Sequence, residues 1–256
     1  MRAAIRLLAL PVIAATLSVG TAAQAAGFSC RETPIMRSNA TLAPLSAKVA
    51  QGQPLAILAI GSSSTEGVGA SAKDKTYPAR LQALLAKTWP KSPTEIVNAG
   101  IGGETAPQTL TRLKAALSQR SFDLVIWQVG TNDAVRGGDF EAFKAMVEEG
   151  IALVREAGPA LAILDPQFFP TVRDPQRYGT YVEAIGDIAR REAIPVFDRY
   201  AAMREWHQFD AEAFKTALST DGFHMSDAGY DCLARDMANA MAGMALPARP
   251  VVAASR

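Results

Sequence analysis

The chain has 256 residues, with 26 Lys and Arg against 25 Asp and Glu, 49% hydrophobic side chains and 7% aromatic ones. That balance excludes a disordered chain and a coiled coil. A net charge of +1, with no basic run longer than Arg190-Arg191, leaves no electrostatic footprint for nucleic acid, so no nucleic-acid partner is expected. Two cysteines and two histidines cannot supply Cys₄, Cys₂His₂ or HExxH zinc arrangements, so any chemistry must come from ordinary side chains.

The first residues read as an export signal. Arg2 and Arg6 precede a mostly apolar stretch, and Ala23-Gln24-Ala25 places small residues where a signal peptidase requires them, so 1–25 is a signal peptide cleaved after Ala25. The apolar stretch is shorter than the roughly 20 residues that span a bilayer, and Gly27-Phe28-Ser29 before Cys30 lacks the Leu of a lipidation site. A periplasmic or secreted protein without a stable membrane anchor follows. Residues 26–53 are weakly patterned and read as an N-terminal arm on a main domain of 54–256.

From Pro54 a short apolar run followed by a helical stripe recurs five times. The runs at 55–60, 95–98, 124–129, 161–164 and 194–197 are mostly continuous rather than alternating, as in parallel strands covered on both faces. Between them lie stripes at helical spacing: Tyr77, Leu81, Leu84, Leu85; Leu110, Leu113, Leu117; Phe143, Met146, Val147, Ile151, Val154; and Tyr181, Val182, Ile185, Ile188. Tyr230, Leu233, Met237 and Met241 form a last stripe. Alternating strand and helix predicts an α/β fold built on a doubly wound, five-stranded parallel sheet.

Ligands of such sheets bind beyond the carboxyl ends of the strands. The segments there are Gly61-Ser62-Ser63-Ser64-Thr65-Glu66-Gly67, Asn98-Ala99-Gly100-Ile101-Gly102-Gly103-Glu104-Thr105 and Gly130-Thr131-Asn132-Asp133, joined by Asp221-Gly222-Phe223-His224 before the last helix. Each alone has an ordinary reading. A serine-rich turn is a helix cap, and the glycine-rich segments lack the endings of a P-loop or a dinucleotide fingerprint. Together they supply what acyl transfer needs. Serine is a weak nucleophile until a neutral imidazole takes its proton, and a carboxylate fixes the tautomer of that imidazole. Asp221 and His224 offer that pair from one turn, and the N–H groups of Ser63 and Gly103 with the amide of Asn132 offer three fixed donors for an oxyanion.

These blocks, in this order, resemble the SGNH, or GDSL-type, hydrolases over about residues 55 to 245. The first block places the nucleophile at Ser63, the second matches Gly103, the third Asn132, and the last Asp221 and His224. The resemblance implies a flavodoxin-like three-layer αβα sandwich, no metal or organic cofactor, and hydrolysis of carboxylic esters by an exported serine esterase or carbohydrate deacylase. Its substrate would be a small-molecule or carbohydrate ester. Transfer of an acyl group to a sugar hydroxyl, or carbohydrate binding without catalysis, are the alternatives on this fold. Two positions depart from the family pattern, Ser62 where Asp is usual and Ser64 where Leu is usual.

Remaining conspicuous residues read as structural. His207 has no carboxylate at a motif spacing, and Trp89, Trp127 and Trp206 are packing residues. Cys30 and Cys232 permit one intramolecular disulfide, though sequence separation alone cannot place them within bridging distance.

Overall fold

A computed structural model describes residues 28–36 and 42–244; the expected signal peptide lies outside them. Five strands form one parallel sheet: β1 Leu55–Gly61, β2 Thr94–Gly100, β3 Leu124–Gln128, β4 Ala160–Leu164 and β5 Val196–Phe197, in the order β2-β1-β3-β4-β5. The expected α/β fold is thus present, as a flavodoxin-like sandwich with helices on both sides of the sheet. The central strands β1 and β3 are buried along almost their whole length, which is why their sequences run apolar without alternation. Edge strand β2 is only half buried and carries polar residues.

Helices α1 Ala43–Ala50, α2 Ser63–Glu66, α3 Tyr77–Thr88, α4 Ala106–Gln119 and α5 Thr131–Arg136 lie in the first half. α6 Phe140–Ala157, α7 Pro175–Arg191, α8 Arg199–Phe209, α9 Ala211–Phe214 and α10 Asp227–Met244 complete the set. Their starts are encoded locally. Pro78 and Pro107 sit in the first turns of α3 and α4, and the Asp139, Asp174 and Asp198 side chains accept from the backbone N–H groups that open α6, α7 and α8. α10 packs on α3, whereas α4, α6 and α7 pack in sequence. Leu81, Leu113, Val147, Ile185 and Leu233 from the predicted stripes are completely buried.

Five helices had no legible stripe. α2, α5 and α9 are too short to show one, α8 mixes Arg, Glu and His into its eleven residues, and α1 lies in the weakly patterned arm. β5 is also shorter than the apolar run 194–197, because Ala193 turns with positive φ and Ile194 N–H returns to the carbonyl of Ala189.

The described residues before β1 are fastened at several points. Met36 bridges Phe197, Asp198 N–H donates to Ile35 O at 2.6 Å, and Ile35, Leu42 and Leu45 are buried. Trp206 Nε1 donates to Thr33 Oγ1 at 3.0 Å. Cys30 and Cys232 form a disulfide with Cα atoms 5.2 Å apart, tying the segment 28–36 to α10.

Candidate active site

β1 and β3 are the neighbours between which the strand order reverses, and the turns after them meet there. β1 runs into Gly61, and Ser62 donates from both its backbone N and Oγ to Gln128 Oε1, at 2.7 and 3.0 Å. This amide stands at the end of β3 and fixes the serine turn from below. One residue on, α2 begins with Ser63 and closes at Gly67 in the left-handed conformation, with φ of +104°. Thr65 Oγ1 meets the Tyr77 hydroxyl at 3.2 Å, and burial pushes that phenol up to about 12. α2 lies directly on β2: a Cβ on Gly100 would stand 1.9 Å from Glu66 N, so only glycine allows the approach.

The histidine turn is built differently. Leu218 bridges Met225, and Ser219 N–H donates to His224 O at 2.7 Å, so residues 219–224 form a closed loop above the rim. Within it Asp221 Oδ1 accepts from Ser219 Oγ at 2.7 Å and from the N–H groups of Phe223 and His224 at 2.9 Å each. Asp221 Oδ2 lies 2.6 Å from His224 Nδ1, and His224 Nε2 lies 2.8 Å from Ser63 Oγ. Partial burial works against ionisation of Asp221, but the hydrogen bonds from His224, Ser219 and the two N–H groups outweigh it and hold the carboxyl far below the usual carboxylate range. An ionised Asp221 assigns the neutral ring its proton at Nδ1, leaving Nε2 to accept from Ser63.

The glycine loop reaches the serine turn, where a Cβ on Gly102 would lie 3.9 Å from Ser63 Cβ, and Asn132 is bonded to that loop. The backbone N–H groups of Ser63 and Gly103 donate to no acceptor among the described residues. Asn132 Nδ2 donates one hydrogen to Glu104 O at 2.7 Å, which fixes the amide and leaves its second hydrogen unspent. Gly103 has φ of +77°, and Arg136 Nη2 lies 3.3 Å from where its Cβ would be. Asp133 carboxylate oxygens accept from Ala106 N–H at 3.0 and 3.2 Å, locking α5 to the start of α4. Burial raises the Asp133 pKa, and the Ala106 bond opposes that rise. Arg112 donates to Ala99 O at 2.8 Å and Gly61 O at 3.1 Å while paired with Glu104, so one guanidinium joins the ends of β1 and β2 to the glycine loop.

Of the five residues singled out by sequence, Ser63, His224 and Asp221 are joined by hydrogen bonds, and Asn132 is bonded to Glu104 in the loop that carries Gly103. Gln128, Arg112 and Ser219 were missed. Gln128 carried a faint signal, as a polar residue ending an apolar strand, but nothing in the sequence says which turn it faces. His207 packs against the rings of Phe168 and Phe214, at centroid distances of 5.4 and 5.3 Å. Among the described residues no three His, Cys, Asp or Glu side chains cluster so as to hold a metal ion, and no helix is long and apolar enough to cross a membrane.

A hydroxyl bonded to an imidazole that is bonded to a carboxylate is an arrangement suited to acyl transfer. Comparisons with known proteins agree with this architecture. An arylesterase of Vibrio mimicus is 26% identical over 146 residues, 53% of this chain and 65% of that relative. The thioesterase 1/protease 1/lysophospholipase L1 of Escherichia coli strain K12 is 32% identical over 133 residues, 52% of this chain and 58% of its own length. The matches thus span less than two thirds of either relative. Among solved structures, a two-domain esterase active on acetylated mannans, co-crystallised with mannopentaose, superposes with a TM-score of 0.69 at 21% identity, over 84% of this chain and 57% of that one. The model of the non-GDSL lipase-like family matches residues 29–246, and with the serine, glycine, asparagine and histidine blocks in place the chain belongs to that family of the SGNH hydrolases.

Proposed function

We propose that this chain is an exported serine esterase, or carbohydrate deacylase, that hydrolyses carboxylic esters with Ser63 as nucleophile. One observation carries the reading: Ser63 Oγ, His224 Nε2, His224 Nδ1 and Asp221 Oδ2 form a continuous chain of contacts of 2.8 and 2.6 Å. His224 takes the Ser63 proton as Oγ attacks the ester carbonyl, and Asp221 stabilises the imidazolium that results. The carbonyl oxygen becomes an oxyanion facing the N–H groups of Ser63 and Gly103 and the amide of Asn132, all oriented before the reaction begins. His224 then protonates the departing alcohol, leaving an acyl group on Ser63. A water molecule, deprotonated by the same ring, attacks that ester, and the acid leaves with Ser63 restored.

The relatives bear on the ester class. Two curated relatives carry arylesterase and lysophospholipase names, and a structural neighbour acts on acetylated mannans. Ester hydrolysis is the common element. Export rests on the first 25 residues, with 26–53 as the arm and 54–256 as the catalytic domain. Release of acid from 4-nitrophenyl esters and acetylated sugars, without any acceptor alcohol, tests hydrolysis against acyl transfer. Ser63→Ala should abolish that release, and an organophosphonate should label Ser63 alone. A label on Ser62 or Ser64, or turnover that survives Ser63→Ala, would overturn the assignment. Intact mass of exported material should correspond to a chain starting at Ala26.

A further inference from the structure

Ser64 and Ser62 stand where the family pattern has Leu and Asp, and both side chains point into buried polar partners rather than toward the rim. Ser64 Oγ accepts from Arg199 Nη1 at 2.8 Å. Arg199, the first residue of α8, is 0% exposed, and it also donates from Nε and Nη2 to the carbonyl of Asp165, at 3.0 and 2.7 Å. Asp165 directly follows β4. Two residues on, buried Gln167 donates from Nε2 to Phe223 O at 2.7 Å, and Phe223 is the neighbour of His224. Tyr178 hydroxyl donates to Gln167 O at 2.7 Å, and Phe169 meets the Phe223 ring edge-on at 4.7 Å, so the segment after β4 is rigidly seated against the histidine turn.

A continuous path therefore runs beneath the site. It goes from the residue after the nucleophile, through one guanidinium, to the segment that holds the residue before the base. A buried arginine is costly to desolvate, and a packed apolar side chain of similar volume would give comparable stability, so its retention under this turn calls for another reason. The charge is supported by its surroundings: burial lowers the Arg199 pKa, while Asp165, Tyr178, Tyr77 and Tyr230 act in the opposite sense. Tyr230 hydroxyl in turn donates to Val68 O at 2.7 Å, just past α2.

We infer that Arg199, bridging Ser64 to the Asp165–Gln167 segment, is a positioning residue that sets the distance between Ser63 and His224. This rests on the reading of Ser63 as nucleophile. A misplacement of about 1 Å between reacting groups can cost on the order of 10²-fold in rate, so the strut should show in turnover more than in substrate binding.

The test is steady-state kinetics on a 4-nitrophenyl ester, with kcat normalised by organophosphonate titration and Tm measured on each variant. Ser64→Ala removes only the acceptor, and should lower kcat about tenfold with KM within about twofold. Arg199→Lys should fall similarly, and Arg199→Met by about 10²-fold. Adding Ser64→Ala to Arg199→Met should cost nothing more, because the two residues act through one bond. Gln167→Met, at the other end of the path, should also lower kcat and slow phosphonylation of Ser63. Folded Ser64→Ala and Gln167→Met proteins with unchanged kcat per titrated site, and only a lower Tm, would overturn the strut while leaving the esterase reading intact. A wild-type chain inactive on every ester would overturn both.

Discussion

The serine turn and the histidine turn hold their residues by different means. Ser62, Ser63, Ser64 and Thr65 are 3%, 9%, 2% and 0% exposed, wedged between the sheet, Gln128 and Tyr77. The Asp221 side chain, by contrast, is 45% exposed and that of His224 15%. The nucleophile is placed by packing, whereas the base is placed by hydrogen bonds inside a surface loop. Packing is shared with the whole fold, so damage to what seats Ser62 and Thr65, at Gln128, should appear as lost stability, whereas loss of the Ser64–Arg199 bond should show in rate. Hydrogen bonds in an exposed loop are local, so damage on the histidine side should appear as lost rate.

The sharpest separation should come from Asp221→Asn. The amide can donate to His224 Nδ1, which moves the ring proton to Nε2 and leaves nothing to accept from Ser63. A fall in kcat of about 10⁴-fold is expected with little change in Tm. A large drop in Tm would show that the exposed loop supports the fold after all. Next in size is Asn132→Ala, expected to lower kcat per titrated site by roughly 10²–10³-fold, about 2.7–4 kcal/mol, with KM little changed. Unchanged kcat with lowered Tm would leave only the two backbone donors for the oxyanion.

On the buried side, Gln128→Leu should behave in the opposite way. It orphans the Ser62 N–H and hydroxyl, and the expected loss is about 1–3 kcal/mol of unfolding free energy by urea titration. A variant with native stability and impaired turnover would break the contrast between the two turns.

A separate, pH-dependent effect concerns a carboxyl far from either turn. Asp236 on α10 is 3% exposed and accepts from Thr33 N–H at 3.4 Å, while its Oδ2 has no hydrogen-bond partner. Burial pushes its pKa up to about 7, and the nearby Glu32 and Glu205 add to the rise. Because the folded value is raised, the stabilisation is fully present below the ordinary value near 3.8 and is lost as the pH rises through about 7. Thermal melts should show stability declining over that window, and Asp236→Asn should flatten the decline. A decline that persists in the variant would move its origin elsewhere.

Much of this protein is legible without coordinates. Continuous apolar runs at 55–60 and 124–129 can be satisfied only by strands covered on both faces, and polar turns after such strands must reach a common rim, so Ser63, Gly103 and Asn132 could be grouped from their order. Asp221 and His224 lie close enough in sequence to share one turn. Arg199 and Ser64 are 135 positions apart and Ser62 and Gln128 are 66 apart, and neither pair has a spacing that would reveal it. Nothing in the sequence says what Ser62 and Ser64, in place of the family's Asp and Leu, would touch, whereas in the fold each hydroxyl meets a specific buried partner. Periodicity and turn chemistry are properties of neighbouring residues, so sequence by itself determined the strands, the main helices and the rim. Which polar groups face one another in the interior depends on how the layers stack, and only the tertiary structure decided that.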